Sequence, residues 1–310
     1  MNELIERKRQ HHYIPKFYSK RWIGKENKLI RWSVARGEIK PEPVHPSGTG
    51  YLTDLYTLRG FGDVGPEIES LFFEPVDGHA SKALAKMIKF GDSAHWTERL
   101  RSAWTVFILS LEMRMPEDLE ILRAKWPALM EAWSAQAEGR YSNIRKEADP
   151  TTYREYRSLL PPSEDEKLLF DALMKMINNP TLGQFINNMF WDVIDTSAAG
   201  IQLLTSDRPI IRSNGIVGDH GHIVIPISPN RIFAASNTIA ARATFKSMPI
   251  TQLINEVNLR VVRSAAKFVY STDIIHQDLI CSNFGIEQQP RQFELSIARF
   301  IKELTGSAGK

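Results

Sequence analysis

Cysteine is almost absent from this chain: its 310 residues include one, Cys281. A single thiol rules out an intrachain disulfide and any cysteine-rich zinc cage, and it fits a reducing compartment. A bound metal would have to rest on His, Asp and Glu. No apolar run approaches the roughly 20 residues that cross a bilayer, and Met1 to Arg7 lacks the apolar stretch of a secretory signal. The cytoplasm is therefore the expected compartment, with no membrane partner. Net charge is small as well, +3 from 39 basic and 36 acidic side chains, too slight for the surface as a whole to draw nucleic acid. Also missing are the Gly-x-x-x-x-Gly-Lys phosphate loop, the Gly-x-Ser-x-Gly elbow, the His-Glu-x-x-His zinc helix and a glycine-rich dinucleotide fingerprint. Nucleotide-driven motors, α/β-hydrolases and dinucleotide oxidoreductases are set aside, and no nucleotide cofactor is expected.

What the chain does have is concentrated near its start. Between Arg9 and Trp22 stand two histidines, four aromatic rings and four cations around Pro15. A mobile terminus gains nothing from large aromatics, so this density predicts a segment tied into the fold. The cations Arg7, Lys8, Arg9, Lys16, Lys20, Arg21 and Lys25 interleave with the rings. Single-strand binders use that pattern, and a solvated basic face beside a buried aromatic helix produces it equally.

Periodicity organises the rest. Ile14 precedes proline, so His11 to Ile14 should be extended, with Pro15 opening a short helix that Gly24 closes. Adjacent side chains on an extended segment point opposite ways, so His11 and His12 are not expected to chelate one ion together. Lys28 to Val34 alternates like a strand, followed by a turn and a second strand near Ile39; another extended piece spans Tyr51 to Leu58. From Pro66 the period becomes helical, through Ile88, then from Thr97 to Leu111 and onward from Pro116. Residues 138–163 are polar and read as an exposed linker or insertion. Further helices are expected from Ser163 to Met176 and from Pro180 to Ile194. Short apolar runs at 201–204, 209–211, 223–227 and 231–235 predict a compact sheet, followed by helices from Ile250 to Tyr270 and from Phe293 to Leu304. The expected class is α+β: a mainly helical centre with a small mixed or antiparallel sheet built from N-terminal and 200–235 strands, most simply in one domain.

Several blocks resemble an uncharacterised bacterial family of unknown function whose members open with His-His-Tyr-Val-Pro-x-x-Tyr-Leu. Here the block is His11-His12-Tyr13-Ile14-Pro15-Lys16-Phe17-Tyr18, with Ser19 in place of the leucine. Glu67 to Glu74, Arg114-Met115-Pro116, Thr205 to Pro209, Pro226 to Pro229 and Asn258 to Tyr270 are similar to its later signatures. The resemblance runs from residue 11 to about 271 and implies no particular activity.

The polar residues of these blocks set out two functional expectations. In the first, the protein is a metal-dependent phosphodiester hydrolase, a nuclease of a bacterial defence or toxin type. His12 would activate water, Asp207 and Glu74 would hold Mg²⁺ or Mn²⁺, and Arg114 would neutralise phosphate charge. His11, Tyr13, Tyr18, Arg21 and Arg208 would contact substrate. In the second, it is a non-enzymatic module that binds nucleic acid or protein through its basic, aromatic N-terminal segment. Structural roles compete at each position. His12 can donate to a backbone carbonyl, Asp207 can cap its own turn, and Arg114 can pair with a carboxylate such as Asp207. Glu69, Glu74 and Asp77 can serve as helix-terminal charge, although Glu67 and Glu74 would share a face of a continuous helix. His220 and His222 in a glycine-rich turn offer either an adventitious metal pair or a hairpin tip.

Overall fold

The computed structural model describes residues 9–59, 68–213 and 215–287, together with 294 and 297. Glu67 and the helix expected at 293–304 lie outside the described residues, the latter apart from 294 and 297. The architecture is α+β, with small antiparallel sheets around a helical centre.

The N-terminal segment is anchored as its composition predicts. β1 (Gln10–His12) pairs with β4 (Tyr51–Thr53), His11 opposite Leu52 and His12 opposite Tyr51. Pro15 precedes a helical turn, α1 (Lys16–Ser19), which tightens into a 3₁₀ turn at Lys20–Trp22. Tyr13, Tyr18 and Trp22 are all buried. Gly24 ends the segment where only glycine fits, because a Cβ there would lie 2.3 Å from the Thr272 carbonyl oxygen.

β2 (Leu29–Ala35) and β3 (Glu38–Val44) form a hairpin, with Pro41 and Pro43 tolerated because β3 is the sheet edge. On its other side β2 pairs with β10 (Val269–Ser271), and β10 pairs with β6 (Thr205–Ser206), which joins the front of the chain to its last third. A second four-stranded sheet, hereafter the second sheet, has the order β5 (Phe190–Asp195), β9 (Arg231–Ser236), β8 (His222–Ser228) and β7 (Ile211–Arg212). Its two faces line different cores. Ile223, Ile225, Ile227, Phe233 and Ala235 pack into the helical centre, whereas Val224, Ile232 and Ala234 pack into a smaller core. A sheet covered on both faces reads as continuous apolar runs rather than as alternation.

The helical centre comprises α2 (Glu74–Phe90), α3 (Glu98–Leu111), α4 (Pro116–Ile144), α5 (Tyr153–Ser158), α6 (Pro162–Ile177) and α7 (Pro180–Asn188). Thr97 caps α3 by accepting from the Leu100 N–H, and Pro116 opens α4. One π turn, Glu69–Phe73, leads into α2. α8 (Ile239–Ser247) and α9 (Ile250–Ser264) cover the outer face of the second sheet, and α10 (Gln277–Asn283) follows β10.

The structure corrects three expectations. The helix from Pro180 stops at Asn188, and Phe190 to Asp195, rich in aromatic and β-branched residues, is strand β5 instead. The helix from Ile250 stops at Ser264, and Tyr270 belongs to β10. Residues 201–204 form no strand, because the Leu203 and Leu204 amides donate to the Pro229 carbonyl and the Asn258 side chain. The 138–163 stretch is mostly exposed and helical in part, with the end of α4, all of α5 and the start of α6 held by a Thr152–Glu155 capping box and by Tyr153 donating to Glu138.

Candidate functional site

Arg114 stands at the centre of the charged residues singled out in the sequence. It lies in the corner between α3 and α4 with 0 % of its surface exposed. Its Nε donates to the Tyr13 carbonyl at 3.0 Å and its Nη1 to Asp77 Oδ1 at 2.9 Å. The guanidinium carbon sits 5.6 Å from the centre of the Phe73 ring and 5.7 Å from that of Phe107. The Arg114 carbonyl accepts from the Tyr56 hydroxyl at 2.6 Å. The acid paired with Arg114 is thus Asp77 and not Asp207.

His11 is fully buried, and its Nδ1 accepts the Tyr56 N–H at 2.9 Å, so the ring proton sits on Nε2. Its ring also stacks on that of Tyr56, the planes 3° apart. His12 is buried too, 5.3 Å from the Tyr51 ring by centroids. The Tyr13 hydroxyl is held well above its ordinary pKa, first by burial and then by the charges of Asp207 and Glu117.

Asp207 ends β6 with both carboxylate oxygens engaged. Oδ1 accepts from the Ala266 N–H at 2.9 Å, and Oδ2 accepts from Lys267 at 2.6 Å and Phe268 at 3.2 Å. Burial pushes its pKa up to about 6 against the opposing pull of those bonds. The carboxylate therefore stitches the end of β6 to the turn between α9 and β10. Asn258 does the same for the preceding loop, accepting from Leu204 and donating to Gln202.

Arg208 reaches the first turn of α4, with Nη2 3.7 Å from Glu117 and 4.0 Å from buried Asp118. Lys267 pairs with Glu117 at 2.5 Å. Burial raises the Glu117 carboxyl, but the Lys267 bond and the nearby cations outweigh it and hold the group low. Arg212 and Glu112 form a further pair at 3.2 Å.

The structure thus gathers these residues into two clusters, His11, Tyr13, Tyr56 and Asp77 around Arg114, and Arg208, Glu117, Asp118 and Lys267 beside Asp207, with the charges of Asp207 and Glu117 felt at the Tyr13 hydroxyl. Glu74 is exposed in the first turn of α2. Tyr18 is committed elsewhere, its hydroxyl bonded to Thr205 Oγ1 and the Pro226 carbonyl, each at 2.7 Å. Arg21 is half-buried. Among the described residues no three His, Cys, Asp or Glu side chains gather in a way that could hold a metal ion. Asp118 and Glu117 carry only a helix-start signal in the sequence, and Lys267 carries none.

An α+β protein with such charged clusters defines a structural class and no chemistry by itself. The chain belongs to a family described as a protein of unknown function (DUF4238), which it matches over residues 10–274. No curated protein and no solved structure matches the chain. No described helix is long and apolar enough to cross a membrane.

Proposed function

We propose that the protein is a non-enzymatic binding module that takes a nucleic acid along the cationic side of its N-terminal segment. One observation supports this reading most. Lys16, Lys20, Arg21 and Lys25 have no acidic partner within 4.0 Å among the described residues, although they crowd into three short helical turns. Lys16 and Lys20 are one helical turn apart. Arg21 adds a buried Nε with no hydrogen-bond acceptor among the described residues, and burial lowers its pKa. Such a cluster is stabilised when a phosphate chain replaces its counterions. The rings of Tyr13, Tyr18 and Trp22 are buried, so the grip is on phosphates and not on stacked bases.

The test is fluorescence anisotropy of a labelled single-stranded RNA against salt concentration. Lys16→Glu with Lys20→Glu should weaken binding at least tenfold and reduce the salt slope by about 0.7 for each phosphate that the variant no longer neutralises. Equal affinity and equal slope in wild type and variant would overturn the reading.

A second reading, phosphodiester hydrolysis, draws on Arg114 Nη2, a buried donor with no acceptor among the described residues. In this reading the corner between α3 and α4 opens to let a substrate phosphate supply that acceptor, because Arg114 has no exposed surface as folded, and His12 acts as base. Glu74 and Asp207 do not suit an Mg²⁺ or Mn²⁺ site, because Asp207 spends its oxygens on three amides and no described group of three His, Cys, Asp or Glu side chains includes either acid. Nuclease assays with Mg²⁺, with Mn²⁺ and with chelator decide the matter. This reading requires cleavage of DNA or RNA that His12→Ala abolishes in a folded variant, and a defence or toxin role would require that expression harm the host cell.

A further inference from the structure

A cavity of about 590 Å³ lies on the outer face of the second sheet, between β7, β8, α8 and α9. That volume falls in the range of small-molecule sites. Its floor is apolar and buried, with Ile211 and Val224 from the sheet and Leu253 and Val257 from α9. Phe245 and Met248 from the α8 region form one wall. The lining also carries charge, with Arg212, Arg260 and Arg263 alongside Glu256 and Glu287. This is a different place from the cations of the N-terminal segment.

Two arrangements in the lining favour a ligand with a flat ring and an acid. First, His222 Nδ1 is 2.8 Å from the His220 carbonyl, which can only accept, so the proton is on Nδ1 and Nε2 remains an acceptor. Burial lowers the pKa of this imidazole, which keeps it neutral. Its ring meets Phe245 edge to face at 5.1 Å, giving the cavity an aromatic corner beside an acceptor. Second, among the described residues two of these arginines pair only with exposed acids. Arg260 pairs with Glu256 one helical turn away, and Arg263 pairs with Glu287 at 3.3 Å. Exposed pairs of this kind hold little free energy, so an incoming acid competes for the guanidinium at small cost. Arg212, by contrast, is held by Glu112 at low exposure.

We propose that this cavity binds a small organic anion, a flat apolar or heteroaromatic ring joined to one acid group. The ring lies over Val224 and Val257 against Phe245, and the acid engages Arg260. A carboxylate and a phosphate meet that description equally, and the probes separate them.

The experiment is calorimetry and thermal shift on the full chain with 1-naphthoate, AMP, adenosine and inorganic phosphate. At least one of 1-naphthoate and AMP should bind and raise the melting temperature. Adenosine and inorganic phosphate, each carrying half of the chemistry, should bind at least tenfold more weakly. Arg260→Gln should weaken the bound probe at least fivefold. Glu256→Gln, which removes the competing acid, should tighten it several-fold, a change of sign that a role in fold stability alone would not produce. The proposal is overturned if neither ring-plus-acid probe binds below about 1 mM, an affinity any specific site of this size should exceed. It is equally overturned if adenosine matches AMP as the bound probe, or if Arg260→Gln and Glu256→Gln leave affinity unchanged.

Discussion

Arg114 donates from Nε to the carbonyl oxygen of Tyr13 at 3.0 Å, tying the corner between α3 and α4 to the residue that follows β1. Through Asp77 the same guanidinium holds the first turns of α2. A fully buried cation with two such partners is costly to disturb, because removing the charge leaves a carbonyl and a carboxylate short of donors. Arg114→Gln should cost about 3 to 5 kcal/mol of stability. Arg114→Lys should recover only part of this, since an ammonium cannot span both acceptors in the guanidinium geometry. Asp77→Asn should be milder, as Asp77 is partly exposed. Urea denaturation of the three variants checks the order; a loss below about 1 kcal/mol for Arg114→Gln would mean that the network is incidental to the fold.

The location of this network is partly legible in the sequence. Aromatic density near the start predicts anchoring, and buried Tyr13, Tyr18 and Trp22 bear that out. The strand over Lys28 to Val34, the α3 start at Thr97 and the α4 start at Pro116 follow from local rules that tertiary contacts do not override. Boundaries are lost where two elements of similar apolarity abut. Neither Asn188 before β5 nor Ser264 before β10 is followed by the glycine or proline that usually marks a helix end. The partner of Arg114 is illegible for another reason. Asp77 and Asp207 are both acids near apolar segments, and only the packing of α2 against the corner decides between them.

Asp207 carries a pH signature of its own. Its folded pKa, near 6, lies above the ordinary carboxylate value, so the folded state takes up this proton more readily than the unfolded chain. The contribution of the group is fully present below its unfolded pKa and is lost as pH rises through about 6. Comparing wild type with Asp207→Asn from pH 4 to pH 7 isolates that slope, which the variant should lack. The variant should also be less stable at every pH, because an amide nitrogen now faces one or more of the N–H donors of Ala266, Lys267 and Phe268. A wild-type slope retained in the variant would assign it to another group.

Tyr18, a candidate substrate contact by its sequence, has an enclosed hydroxyl that bridges β6 to β8 through Thr205 and Pro226. Tyr18→Phe keeps the ring and deletes the bridge, leaving a buried carbonyl without that donor. A loss of about 1 to 3 kcal/mol is expected, with no change in RNA affinity once the variant is folded. Weaker RNA binding by a fully folded Tyr18→Phe would return this residue to the binding surface.

Asp192 behaves oppositely to Asp207, and it links stability to the cavity. It sits on β5 with 4 % exposure and accepts two bonds from Arg242, at 2.8 and 2.7 Å, and an ion pair from Lys246 at 2.8 Å. Burial pushes its carboxyl up, but the bonds from Arg242 and Lys246 outweigh it and hold the pKa below the ordinary range. The stability it contributes is therefore present above the ordinary carboxylate pKa and lost only as pH falls through the lowered value. Arg242 and Lys246 both belong to α8, whose Phe245 and Thr244 line the cavity. Asp192→Asn should cost about 1 to 2 kcal/mol, since solvent screens the exposed cations. It should also speed amide exchange in α8 more than in α3. Because α8 carries one wall of the cavity, the variant should bind the ring-plus-acid probe more weakly without touching it. Unchanged exchange in α8, measured in a variant that remains folded, would show that the helix is held by its apolar contacts and not by this carboxylate.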